Sequence, residues 1–295
     1  MQAQSHLRPT VRRRRLGAEL KRLREAAGVR MDDAAERIGC DKGKISRIEN
    51  GRLGVRKLEM EALLDLYQAE GTRLRAALTA LAREGRRKGW WQRYGDILGP
   101  EFQERLSIEA DAVRILEYQN TLVPGLLQTP EYATELIRRR ETAAARPERE
   151  SYVAVRMARQ GIFGGGSAPD YVCVLDEAAL RREIGGPSVM AAQLRKLIEV
   201  SGPPELTIQV IPFAQGWHAG VEGAFSICSY PDPMDLDVVN VDYLGASLYL
   251  EEKGAVEAHQ AAFDQLRASA LSPQRSMELI SRTAQGFDDR RRQPR

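Results

Sequence analysis

The sequence predicts two units of different class: an all-α unit of five short helices over residues 16–84, and an α+β unit over residues 85–285 in which helices come first and a small sheet flanked by helices follows. Three observations predict this division. Apolar residues recur at helical spacing through the first 84 residues, whereas short β-branched and aromatic runs bounded by Gly, Pro and Asp take over after Gly164-Gly165-Gly166-Ser167. The charge balance changes sign: residues 1–95 hold 23 Lys and Arg against 12 Asp and Glu, net +11, and residues 96–295 hold 21 against 29, net −8. Finally, Gly85-Arg86-Arg87-Lys88-Gly89-Trp90-Trp91 reads as a joint, with cations and two glycines before an aromatic pair that marks a new core. Aromatic pairs at such an edge pack more often than they form a ligand box.

The first element is a basic segment, residues 1–15, with Arg12, Arg13, Arg14 and Arg15 following Arg8 and Pro9. It reads either as a mobile arm that follows a nucleic-acid backbone or enters a minor groove, or as the solvated start of a helix. Leu16 to Gly28 is an amphipathic helix with Leu16, Leu20 and Leu23 inside and Gly28 as its stop. Met31 to Gly39 is a second helix, with acids in its first turn, where the helix dipole favours them, and with small Ala35 allowing close approach of a neighbour. A Gly-centred turn leads to a third, short helix. Leu58 to Tyr67 is a fourth, with Leu58, Leu63, Leu64 and Leu66 as core candidates, and Leu74 to Ala82 is a fifth.

The third helix carries the chemistry. Ile45 and Ile48 are three residues apart and point into a core, leaving Lys42, Lys44 and Arg47 outside. A helix held from behind, with cations and no acid on its leading face, is shaped to enter a major groove, where cations favour the acceptor atoms of guanine. The basic balance of this unit favours DNA through counterion release. Ala35-Glu36-Arg37-Ile38-Gly39 and Ile45-Ser46-Arg47-Ile48-Glu49-Asn50-Gly51, with Arg52 after them, resemble the Cro/C1-type (xenobiotic-response-element) helix-turn-helix family over Leu16 to Leu81. The resemblance implies base contacts from Lys42, Gly43, Lys44 and Arg47, and phosphate contacts from Asn50, Arg52 and Lys57. Arg30-Met31 replaces the family's Ser/Thr-Gln at the start of the second helix, so its N-cap and phosphate-binding glutamine are missing. Gly43 stands where a base-reading side chain is common, so sequence preference does not carry over.

In the second unit, Glu101 to Asn120 reads as a helix. Leu122 to Gln128 reads as a turn and a short helix, followed by a helix that starts at Pro130 with Thr129 as its N-cap. Arg146-Pro147 breaks the chain before a helix over 148–161. The Gly164–Ser167 connector lacks the Lys-Ser/Thr of a phosphate-cradling loop. Strands are expected at Tyr171–Leu175, Leu206–Ile211, Phe225–Ser229, Val238–Val241 and Ser247–Leu250. Helices are expected at Val189–Val200, Ala255–Ala270 and Pro273–Thr283, with residues 286–295 as a disordered basic tail.

Little here points to catalysis. Cys40, Cys173 and Cys228 have no paired spacing, so neither a disulfide framework nor a metal site is expected, and no cofactor motif appears. Asp176-Glu177 reads as paired carboxylates for acid–base work or, more simply, as a helix cap. Trp217 and His218, in a Gly-flanked loop, are the candidate ligand contacts; a structural histidine is the plainer reading. No apolar run approaches membrane-spanning length and no signal peptide begins the chain, so a cytoplasmic, nucleoid-associated protein that does not engage a membrane is expected.

Arg87-Lys88-Gly89-Trp90-Trp91, Leu122 to Thr129, Val174-Leu175-Asp176-Glu177-Ala178, Gln209-Val210-Ile211-Pro212-Phe213 and Leu271-Ser272-Pro273 resemble the uncharacterised domain that follows such a helix-turn-helix in many actinobacterial, especially streptomycete, regulators. That resemblance implies a regulator, often encoded beside a small acidic partner protein. The expectation is therefore a non-enzymatic, homodimeric regulator reading an inverted repeat in double-stranded DNA, its C-terminal unit receiving a signal from a partner protein or ligand. The alternative is an antitoxin- or defence-like module whose body binds a ligand or acts catalytically and uses the helix-turn-helix for autoregulation.

Overall fold

The computed structural model describes residues 11–84, 90–95, 97–140, 146–164, 168–202, 205–230, 237–243 and 246–292. The chain divides into two compact units, Met1–Arg93 with Gly99–Ser107 and Tyr94–Leu98 with Ile108–Arg295. Of the expected arm and tail, residues 1–10 and 293–295 lie outside the described residues, as do 165–167 of the glycine connector.

The first unit contains α1 (Val11–Ala26), α2 (Met31–Arg37), α3 (Lys42–Glu49), α4 (Lys57–Leu66) and α5 (Thr72–Glu84). Its core joins Leu16, Leu20 and Leu23 of α1 to Ala34 and Ala35 of α2, Ile45 and Ile48 of α3, and Met60, Leu63 and Leu64 of α4. Gly28 ends α1 and Gly39 turns the chain between α2 and α3, both at positive φ (68° and 63°), where the absence of a Cβ removes the steric cost. For Arg12–Arg15 the arm gives way to its alternative, the start of a helix: these residues belong to α1, because arginine is a good helix former and Leu16 and Leu20 dock this helix on the core. One core expectation fails. Leu58 is 79% exposed, not core. The buried stripe of α4 is Met60, Leu63 and Leu64, spaced i, i+3, i+4, and Leu58 falls off that stripe.

The second unit is built on a six-stranded mixed sheet, order β3-β2-β1-β4-β5-β6. The strands are β1 (Arg114–Gln119), β2 (Asp170–Asp176), β3 (Leu206–Ile211), β4 (Phe225–Ser229), β5 (Val238–Tyr243) and β6 (Ala246–Leu250). β1, β2 and β3 run parallel, whereas β4, β5 and β6 pair antiparallel. Helix α6 (Pro100–Ala110) belongs to the first unit as far as Ser107, and the helices of the second unit are α7 (Pro130–Arg140), α8 (Arg146–Arg159), α9 (Glu177–Arg181), α10 (Pro187–Val200), α11 (Lys253–Ser269) and α12 (Pro273–Arg292). Phe263 and Leu266 of α11 cover one sheet face with Leu116, Tyr118, Val172, Val174, Ile227 and Val239. The α7 cap is as expected: the Tyr132 N–H donates to Thr129 Oγ1 at 3.2 Å. Trp90 and Trp91, expected at the edge of the second unit's core, fall within the first unit and pack edge to face, centroids 5.9 Å apart.

The helix expected over Glu101–Asn120 is corrected: α6 stops at Ala110 and, after a short turn, residues Arg114–Gln119 form β1, a central strand. Its four middle residues, Ile115 to Tyr118, are all buried, so it lacks the alternation by which a half-buried strand is read. The expected tail is also corrected through Arg292. Phe287 is buried, Asp288 pairs with Arg195 of α10, and Arg290 Nη1 lies 3.0 Å from Glu183 Oε2. These contacts extend α12 past Thr283. The β3 edge is met at Val210 by Leu271, between α11 and α12, and by Ser276 in the first turn of α12. Leu271 N–H donates to Val210 O, and Val210 N–H donates to Ser276 Oγ, both at 2.9 Å, which leaves less edge for foreign strands. In unfolding titrations, Leu58→Ala is expected within about 0.5 kcal/mol of the parent, and Met60→Ala about 2–5 kcal/mol less stable.

Candidate nucleic-acid interface

α3 begins at Asp41, whose Oδ1 accepts the Lys44 N–H at 2.9 Å and so satisfies one of the free amides of the first turn. Behind it, Ile45 and Ile48 enter the core. Lys42, Gly43, Arg47 and Asn50 are exposed, with Ser46 half-buried between them. Gly43, Ser46, Arg47 and Asn50 form one stripe at i, i+3, i+4, i+7 spacing, with Lys42 beside its first residue. The leading end is not free of acid: Asp41 Oδ2 is 3.9 Å from Arg47 Nη2, and Asp32 Oδ2 is 3.2 Å from Lys42 Nζ. Asn50 Nδ2 donates to Ser46 O at 2.7 Å. Ser46 and Asp41 are the residues of this face that the sequence reading passed over; stepping three residues on from Gly43 finds the first, and the N-cap rule the second. A side chain at Gly43 would meet Asp41 Oδ1 at 2.7 Å, so glycine here leaves room for the capping carboxylate.

Lys44 is placed differently from its neighbours. Its ammonium lies 2.7 Å from Glu59 Oε1 at the start of α4, and the side chain is largely covered. Glu59 Oε2 also accepts the Arg56 N–H at 3.0 Å, so one carboxylate caps α4 and ties it to α3. Partial burial pushes the Glu59 carboxyl up, but Lys44 and the Arg56 amide outweigh it and hold the group below the usual carboxylate range. A similar self-cap replaces the missing Ser/Thr at α2: Asp33 Oδ2 accepts the Arg30 N–H at 3.2 Å, and Oδ1 pairs with the Arg30 guanidinium at 2.7 Å.

The angle of α3 against α1 is set by two glycines and one ion pair. A Cβ at Gly17 would meet the carbonyl oxygens of Glu49 and Ile48 at 2.4 and 2.5 Å. A Cβ at Gly51, already at φ 69°, would meet the Arg14 nitrogen and the Arg13 carbonyl at 2.7–2.8 Å. Beside them Arg24 binds Glu49 in a fork, Nε to Oε1 at 2.6 Å and Nη2 to Oε2 at 3.0 Å, with Nη1 on Val29 O at 3.1 Å. Both side chains are buried. The carboxylate raises the Arg24 pKa above its ordinary value against the opposing effect of burial.

The other residues expected at DNA are distributed as follows. Arg52 and Lys57 are exposed, in and after the turn that follows α3, with Lys57 Nζ 3.8 Å from Glu61. Arg13, Arg14 and Arg15 lie on α1, and Arg14 Nη1 pairs with Glu104 Oε1 at 2.8 Å. Arg12 is helical, with its side chain outside the described residues.

In the second unit the two candidate ligand contacts do not converge. Trp217 is 76% exposed, while His218 is buried. His218 Nδ1 accepts the Gly220 N–H at 3.2 Å, which leaves Nε2–H to face Asp176 Oδ2 at 3.2 Å. Asp176 Oδ1 caps α9 through the Ala178 N–H at 2.7 Å, and Glu177 accepts the Phe213 N–H at 2.8 Å and pairs with Arg181. These carboxylates thus have structural partners. Among the described residues no cluster of His, Cys, Asp and Glu could hold a metal ion, and no helix is long and apolar enough to cross a membrane.

A helix-turn-helix domain family matches residues 15–78. The family described as domain of unknown function (DUF5753) matches residues 102–282, more than half of the chain. The chain belongs to this family. No curated protein and no solved structure matches it. The first match spans α1 through the middle of α5, and the DUF5753 match runs from α6 into α12, so the sheet lies within the family domain.

Arg24→Met is expected to cost about 3–5 kcal/mol, because it strands the buried Glu49 carboxylate, with faster amide exchange at Ile45 and Ile48 as the measurement. The lowered Glu59 pKa means that folding is favoured by its ionisation above the ordinary value of 4.5 and that this contribution is lost as pH falls through the lower folded value. Glu59→Gln is therefore expected to flatten the acid limb of first-unit stability below about pH 4.5, read by unfolding titrations across pH.

Proposed function

We propose that this DUF5753 protein is a sequence-specific transcription regulator of the Cro/C1 type, acting as a homodimer in the cytoplasm, on an inverted repeat, without a catalytic step of its own. The observation that carries the reading is the α3 face of Lys42, Gly43, Arg47 and Asn50, exposed around half-buried Ser46 on a helix braced from behind by Arg24–Glu49 and the two glycine contacts. Arg47 suits bidentate reading of guanine, and Gly43 allows the helix backbone to come close to a base edge. Lys42 adds a point charge, and Arg52, Lys57 and Asn50 extend the contact to phosphates. Lys44 reaches DNA only by leaving Glu59, which makes it either a reader that is released on binding or a clamp. Two such helices about 34 Å apart would match half-sites one turn apart. The DUF5753 unit then supplies dimer geometry and receives the signal, from a small acidic partner protein or from a ligand. The helix-turn-helix match supports DNA binding and transcription regulation as its general role.

Genome-wide occupancy of the tagged chain tests the reading. A few sharp peaks over one inverted repeat are expected; diffuse occupancy that Lys42→Ala with Arg47→Ala leaves unchanged would sink it. On the recovered repeat, Arg47→Ala is expected to weaken binding by about 1–3 kcal/mol and to relax preference at one base pair. Lys44→Met separates the two roles of Lys44: a reader loses affinity with α3 intact, whereas a clamp loses stability first.

A further inference from the structure

The sheet of the DUF5753 unit carries a buried row of polar side chains on the face turned away from α11. Cys173, Glu117, Ser226 and Asn240 are successive register partners across β2, β1, β4 and β5. Neighbouring strands stand about 4.8 Å apart, so the row is one continuous line. Leu116, Val172, Ile227 and Val239, each one residue away along the same strands, belong to the apolar core on the opposite face, which fixes the orientation of the row. Glu117, Ser226 and Asn240 are 2%, 6% and 5% exposed.

The row is incompletely satisfied. Glu117 Oε2 accepts the Tyr171 hydroxyl at 2.6 Å and Oε1 accepts the Gln119 amide at 3.0 Å, both neutral donors. Among the described residues no Lys or Arg pairs with Glu117, and the buried Arg159 guanidinium is paired with Glu109. Burial and the Glu117 charge push Tyr171 and Cys173 well above their ordinary pKa values, so both stay neutral beside the carboxylate. Among the described residues Asn240 Oδ1 is buried without a partner. Buried side-chain amides are nearly always hydrogen-bonded, so one left open beside an uncompensated carboxylate indicates an absent partner.

We propose that this row is the ligand site of the unit and that it takes a small hydroxylated amine, its ammonium on Glu117 and its hydroxyls on Ser226 and Asn240. Each Glu117 oxygen keeps a lone pair, an ammonium brings three donors and the missing charge, and a hydroxyl can serve the donor and the acceptor of an amide at once. The proposal rests on the reading that the second unit receives a signal, and it chooses a small molecule over a protein as the source.

The test uses the full chain without DNA, with glucosamine and ethanolamine as probes and glucose as the neutral counterpart, read by thermal shift and titration calorimetry. One or both amines are expected to bind saturably and raise the melting temperature, with glucose inert. Asn240→Leu is expected to raise the melting temperature of the free protein, since it removes an unpaired buried group, while weakening amine binding by at least about tenfold. Glu117→Gln is expected to abolish the preference for amine over glucose. If neither amine binds, or if both variants bind amines as the parent does, the proposal is overturned. The same titration on Lys42→Ala with Arg47→Ala is expected to be unchanged. A failure of amine binding with specific DNA occupancy intact therefore removes this inference alone, and loss of specific occupancy with amine binding intact removes only the DNA reading.

Discussion

The fork between Arg24 and Glu49 is the contact on which the geometry of the first unit depends. Burying two charges is unfavourable unless each is fully paired, and here the guanidinium meets both carboxylate oxygens and one backbone carbonyl. The pairing is directional in a way that apolar packing is not. Ile45 and Ile48 hold α3 on the core but leave its rotation and slide under weak control. The fork and the backbone approach at Gly17 and Gly51 remove that freedom. The exposed stripe of α3 is therefore presented at a fixed angle by residues that do not themselves lie on it.

The second unit uses polar groups to different ends on its two faces. Toward α11 the sheet is largely apolar: Gln209 bonds Leu271 O, Asp176 and His218 are satisfied by one another and by nearby amides, and the buried Tyr118 hydroxyl has no partner among the described residues. On the other face polar residues sit mid-strand, where sheet and helix sandwiches normally place aliphatic ones. The Gln193 side chain shows what a closed buried network looks like in the same unit: its Oε1 accepts the Thr129 N–H and its Nε2 donates to Leu127 O. Against that standard, Asn240 Oδ1 is open, as is the Tyr118 hydroxyl on the other face, and Asn240 lies in the polar row on the face turned away from α11.

Most elements were legible in the sequence because local signals agreed with tertiary packing. The α1 stop at Gly28, the turn at Gly39, the Thr129 cap and the five strands from β2 onward all follow from residue type and spacing. The central strand β1 was not legible, because a strand buried on both faces has no period of two and Glu117 and Gln119 look like helix surface. Leu58 misled for the opposite reason: an apolar residue beside a genuine stripe reads as part of it until the phase of the helix is known. The end of α12 failed because its arginines resemble a solvated tail, while the acids that hold them, Glu183 among them, are distant in sequence. The cations of α3 were legible as a set; that Lys44 turns toward Glu59 was not, because an i to i+15 ion pair leaves no local trace.

The glycines at 17 and 51 have a further consequence. They place the constraint on backbone atoms, which no substitution on the α3 stripe alters. Lys42, Ser46, Arg47 and Asn50 can therefore be exchanged with the helix still held at the same angle; under the proposed function, a change of operator is then a problem of side-chain choice alone. The orientation of α3 and the chemistry of its exposed stripe are, in this molecule, set by different residues.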